Sequence, residues 1–302
     1  MKYTTHATLL NLRRMPKIAG NNIIGRLIQH TLVEKIAEHS AIWWRVRTTY
    51  AGKVIEGYVH SGYLKKVPQP EVAVFPEKPA LVIPEVHLKS IHNKATRNNQ
   101  RWAFCLEEPD MPYRNVDNIH KKRDSIHAII NYLNVEQSAR YAPKSTATYC
   151  NIYAYDYCYL CKAFLPRVWW SAKALLAMSQ DEQPEAVYGK TVFEQNANSL
   201  FDWLQTFGKE FGWTRSFELN EIQEAANSGK VVLICAAHKN ANNSGHIAAV
   251  VPENASHKAV RNTAGVVSQP LQSQAGRVNK KYFNQNWWYQ TNYRDFGFWI
   301  HD

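Results

Sequence analysis

Between Val67 and Val86 the chain reads PQPEVAVFPEKPALVIPE, and this tract limits how the molecule can fold. It holds Pro68, Pro70, Pro76, Pro79 and Pro84, five of the 13 prolines in 302 residues. Proline has a fixed φ and no N–H, so neither a helix nor a central sheet strand passes through such a run. The tract reads as an extended, semi-rigid linker. It divides the chain into an expected domain at 1–67, a linker at 68–86 and a second domain at 87–302.

Upstream of the linker the sequence consists of short β-type runs, TLLNLRR, NIIGRLI, TLVEKIAE, WWRVRTT and VIEGYVHSGYLKKV, broken by Gly20, Gly25, Gly52 and Gly57. No helical period emerges, so a small all-β barrel is expected. The order LNLRRMP, IIGRLIQHTLVEKI and WWRVRTTYAGKVIEGYVHSGYL resembles the bacterial SH3-like domain: an N-L-R opening, a G-x-L turn, a W-x-x-V strand and a closing G-[WY]-V-x-x-x-Y-L. The resemblance implies a role in holding an enzyme on bacterial cell wall.

Downstream, NIHKKRDSIHAIINYLNV, NANSLFDWLQTFGKEFGW and LNEIQEAANSGK carry apolar residues near helical spacing, the last closed by Gly229. VVLICAA and HIAAVV read as buried strands, with PLQSQAG and FGFWI as weaker ones. Helices first and strands later point to an α+β domain.

Net charge is +11. Residues 1–86 hold 12 Lys+Arg against 6 Asp+Glu, and the remaining 216 residues hold 24 against 19. This balance favours polyanionic partners, whether nucleic acid, acidic lipid or acidic cell wall. No apolar run approaches the ~20 residues of a membrane span, and the N-terminus lacks the apolar core of a signal peptide.

Three of the five cysteines fall in TATYCNIYAYDYCYLCKAF, residues 146–164. With Thr148 as N-cap, a helix is expected to run from Tyr149 until Pro166 stops it. Cys150 then occupies the first turn, where the dipole and free N–H groups favour a thiolate and can hold an oxyanion. Cys158 and Cys161 have zinc-like spacing, but no second pair completes four ligands. They read as small buried side chains, and Asp156 as the partner of a basic residue. The pairs in PRVWW and NQNWWYQTNY read first as core and second as a groove lining.

A nucleophilic cysteine requires a base. His246 stands at the mouth of an apolar strand in NNSGHIAAVVPE, directly after Gly245, whose missing side chain is expected to leave room for a substrate backbone. A helix opening with Cys-Asn-x-[FY], a later helix and a GH[IV]A-x-V strand resemble the papain-like peptidoglycan hydrolases of the NlpC and CHAP types, over roughly residues 88–302. In the commonest NlpC pattern Asp precedes the cysteine and Ser-Gly follow; here Tyr149, Asn151 and Ile152 stand there.

The resemblance implies a papain-like domain in which the thiolate of Cys150 attacks an amide carbonyl and His246 serves as base. The third member is expected from SQPLQSQAGR. Gln274 is favoured, with Gln272 on the same strand face and Glu253 and Asn279 as fallbacks. Tyr149, Asn151 and Gly245 are expected in the substrate site. Peptidoglycan or its muropeptides are the implied partner, with no nucleic acid, cofactor or metal. The implied location is the bacterial periplasm or wall, reached without a classical leader or after its removal. A stem-peptide endopeptidase is favoured over an N-acetylmuramoyl-L-alanine amidase. The alternatives are a non-enzymatic wall-binding protein, or a cysteine hydrolase or acyltransferase toxin with another substrate.

Overall fold

The structure is a computed structural model, and it describes residues 1–67, 82–99 and 101–302. Most of the expected linker, residues 68–81, lies outside them. The chain divides into two compact units, Met1–Ala80 and Leu81–Asp302.

In the first unit the β-type runs form β1 (Lys2–Thr5), β2 (Leu9–Arg13), β3 (Ile23–Ile28), β4 (Leu32–Glu38), β5 (Trp43–Tyr50), β6 (Lys53–His60) and β7 (Leu64–Lys66). They join in one antiparallel sheet of order β3-β2-β6-β5-β4-β1-β7. Alternation along the strands sends Tyr3, Leu10, Leu12, Leu27, Val33, Val46 and Val59 into a single core. The long hairpin β5–β6 pairs Tyr50 with Lys53 across a two-residue turn. Both turn residues have positive φ, 50° at Ala51 and 76° at Gly52. That is the geometry a right-twisted hairpin needs, and it is why glycine stands at 52.

The second unit is α+β. Its elements are α1 (Ile119–Leu133), α2 (Cys150–Leu160), β8 (Val168–Trp170), α3 (Ala172–Ser179), β9 (Val192–Glu194), α4 (Ala197–Thr206), β10 (Trp213–Ser216), α5 (Leu219–Asn227), β11 (Val231–His238), β12 (His246–Val250), β13 (Val260–Arg261), β14 (Val267–Gln269), β15 (Leu271–Gln274), β16 (Lys280–Asn284) and β17 (Tyr293–His301). A six-stranded antiparallel sheet runs β10-β17-β11-β12-β15-β16. Val231, Leu233, Cys235 and Ala237 of β11 face the core that contains α2 and α4. Val232, Ile234 and Ala236 face a second core with Ile222 and Ala226 of α5 and with Trp287 and Trp288. Both faces are covered, so β11 reads as an unbroken apolar run.

Helix α2 lies at the centre, with nine of its eleven residues buried, as expected of a helix apolar on all sides. Tyr153 ties it to β15 through a 2.6 Å hydroxyl bond with Ser273. Asp156 is the partner of a basic residue: Arg140 Nε lies 2.6 Å from its Oδ2, both side chains wholly buried, and the Tyr141 hydroxyl donates to it at 2.8 Å.

The elements differ from expectation at three places. Helix α2 ends at Leu160, well before Pro166, because Lys162 turns left-handed at φ 57°. No helix is expected at α3, which starts where the Ser171 hydroxyl accepts the N–H of Ala174. The second unit also begins before residue 87. Ile83 and Val86 belong to its core, and the Trp170 indole N–H donates to the Pro84 carbonyl at 3.0 Å.

Candidate active site

Cys150 is the first residue of α2. The expected cap, Thr148, is not used: Tyr149 is the N-cap, at φ −124° and ψ 36°, with no side-chain bond to the helix. The thiol is 2% exposed. Burial pushes it above the ordinary cysteine value, against the backbone N–H groups of Ile247, Asn151 and Cys150, which favour the thiolate. The lowered thiol expected of a helix start is therefore corrected, because desolvation outweighs the three amides.

The amide of Ile247 brings the start of β12 to the thiol, and the residue before it is His246. The imidazole Nε2 lies 2.7 Å from Oε1 of Gln274. The Gln274 amide is oriented by its own N–H bond to the Val278 carbonyl at 3.3 Å. Its oxygen accepts, so Nε2 carries the proton and Nδ1 is the basic nitrogen. Burial lowers the imidazole below its ordinary value, with the Gln274 bond opposing. Trp287 stands edge-on against the ring, centroids 4.5 Å apart. Ile247 shares a core with Cys150, whereas the ring of His246 turns towards Trp287. Among the described residues the thiol and Nδ1 make no side-chain hydrogen bond, with each other or otherwise.

The other proposed orienters are occupied elsewhere. Gln272 is wholly buried and accepts the Trp287 indole N–H at 2.8 Å, so it supports the ring against which His246 rests. Glu253 is held by Arg261, Asn227 and the Ala259 amide, and these bonds lower its carboxyl to about 2. Asn279 donates to the carbonyls of Val135 and Tyr141, both at 2.9 Å.

The expected substrate contacts change more. A Cβ on Gly245 would stand 2.3 Å from the Ala236 carbonyl oxygen and 2.6 Å from Asn198 Oδ1. The missing side chain makes room for the protein itself, although Gly245 also borders the cleft. Asn198 accepts the His238 N–H and donates to the Asn243 carbonyl, both at 2.8 Å, and so staples the β11–β12 hairpin that carries His246. Asn151 donates to the Gln195 carbonyl at 2.8 Å, and the Tyr149 ring lies under the Arg101 guanidinium at 4.8 Å. Neither borders the cleft. Cys158 and Cys161 are wholly buried, and burial raises both thiols, that of Cys161 to about 12.

A cleft of about 810 Å³ opens over this corner of the sheet. His246, Gln274 and Trp287 form part of its lining, together with Thr146 to Thr148, Arg277, Val278 and Lys280. Cys150 lies behind the lining rather than in it. Trp287 and Asn198 are the supporting residues that sequence reasoning passed over. The pair Trp287-Trp288 stood out as aromatic, but nothing in the local sequence marked which ring meets His246. Asn198 carried no signal at all. No family model matches the chain, and no curated protein matches it.

Proposed function

We propose that the protein is a cysteine hydrolase that cuts an amide bond of peptidoglycan, as a stem-peptide endopeptidase rather than an amidase. The observation that carries this reading is the 2.7 Å bond between His246 Nε2 and Gln274 Oε1, which leaves Nδ1 basic beside a helix that begins with cysteine. The likeness of the first unit to SH3-like wall-binding domains, and of the second to papain-like hydrolases, supplies the substrate class. Action in the bacterial periplasm or wall follows from the same likeness.

With the thiol raised and the imidazole lowered, the resting pair is neutral rather than an ion pair. Substrate binding then has to rotate the imidazole towards the thiol. Nδ1 takes the proton as sulfur attacks the scissile carbonyl. The amides of Cys150 and Asn151 at the helix start are the donors available to the oxyanion. Imidazolium returns its proton to the leaving amine, the C–N bond breaks, and an acyl-thioester remains. Neutral His246 then deprotonates a water that cleaves the thioester and restores the thiol.

Burial of the thiol favours one alternative, a wall-binding protein without activity. Digestion of purified sacculi followed by mass spectrometry separates the two. New amine and carboxyl ends are expected from the native protein and none from Cys150→Ser. Equal release by both proteins overturns the nucleophile assignment, and no release by either favours the binding protein.

A further inference from the structure

Among the described residues the cleft lining contains no Asp or Glu, and the chain contributes two cations to it here, Arg277 from the loop between β15 and β16 and Lys280 from the first position of β16. Neither cation forms an ion pair with any described residue. Arg277 is nonetheless held in place: its Nη1 donates to the Ser145 carbonyl at 2.7 Å and reaches that of Lys144 at 3.5 Å. Those carbonyls belong to the segment that leads into Cys150, and Arg277 itself follows Gln274 by three residues. The guanidinium therefore joins the two chain segments that carry the nucleophile and the orienter, with Nε and Nη2 making no bond to the described residues. The rest of the lining is rich in carboxamides, among them Asn242, Asn243, Gln285 and Asn292.

We propose that Arg277 and Lys280 bind a free carboxylate of the substrate, so that the cleft selects peptides bearing an unamidated acid close to the scissile bond and rejects their primary amides. This rests on the cleft being the substrate site of the hydrolase proposed above. A planar guanidinium fixed through one nitrogen presents its remaining N–H groups in the fork that a carboxylate matches. Lys280 adds a second charge three residues on, at the start of β16. A primary amide of the same shape brings no charge and presents N–H groups to donors, which leaves the cations without a counter-charge.

Binding and cleavage are measured in parallel with muropeptides carrying free stem carboxylates and the same muropeptides converted to primary amides. Binding is followed by titration calorimetry on the Cys150→Ser protein, and cleavage by chromatography with the native protein. The free acids are expected to bind about tenfold more tightly than the amides, and the ratio to weaken as salt rises. Arg277→Gln/Lys280→Gln should bring the ratio to about one. Lys280→Gln alone, which leaves the Ser145 tether intact, should lower it about threefold and guards against misfolding of the loop. Equal binding of acid and amide, binding of neither, or a ratio that survives the double substitution overturns the inference. Selective binding without cleavage overturns the hydrolase reading and leaves the carboxylate selection standing.

Discussion

Gly245 and Gln274 both bear on the place of the same imidazole, the first through the backbone that precedes His246 and the second through its 2.7 Å bond to the ring. Adding a methyl group at Gly245 drives it into the Ala236 carbonyl and Asn198, so Gly245→Ala must displace the first residue of β12. A loss of turnover on muropeptides with little change in KM is expected, because His246 moves and the far cleft does not. Gln274 is a positioning residue. Its bond favours the charged imidazole, so Gln274→Ala should lower the His246 pKa further, in addition to costing roughly 10- to 100-fold in kcat/KM. The base works only when neutral. In the native protein the acid limb of kcat/KM should therefore fall below pH 6.5, and in Gln274→Ala it should lie lower still. A pH–rate profile whose limb stays in place or moves upward contradicts the assignment. His246→Ala should cost roughly 10³- to 10⁶-fold.

At the scale of elements, α2 is the piece on which the site depends, and its polar ties are buried. Asp156→Ala takes the carboxylate from Arg140 inside the core and should cost about 3–5 kcal/mol, read as a shift of the urea midpoint. Leu or Met at both positions should recover much of that loss, since the pair is a poor source of net stability. The link between α5 and the chain after β12 rests on Glu253, whose carboxyl is lowered to about 2 by Arg261 first and by Asn227 and Ala259. A lowered carboxyl stabilises above its unfolded value and loses that contribution as pH falls. The native protein should therefore lose stability over Glu253→Gln between about pH 4.5 and 2, and keep its advantage at pH 7. Parallel melts that differ equally at all pH values would contradict this.

For the whole molecule, each unit closes its own core: one from Tyr3 to Leu64, and two that draw on Ile83 to Ile300. A chain beginning at residue 82 should then fold with the melting temperature of the second unit in the full protein. It should keep turnover on soluble muropeptides and sediment less with sacculi, because the basic first unit is gone. Equal sedimentation of the short and full chains would remove the wall-holding role from that unit.

The sequence by itself determined the features that depend on near neighbours. The period-two runs before residue 67, the apolar run of β11, the cysteine at a helix start and the histidine at a strand mouth are all local patterns. So is the alternation that put Gln272 and Gln274 on one face. The tertiary structure decided what those residues meet. Gln274 reaches the imidazole, while Gln272 spends its oxygen on Trp287. That choice depends on the strand register and on a ring 15 residues away. The thiol of Cys150 illustrates the same division. Its place in the helix argues for a lowered pKa, and burial in a core assembled from distant parts of the chain raises it instead. Desolvation and contact are sums over groups distant in the chain, and no window of sequence contains them.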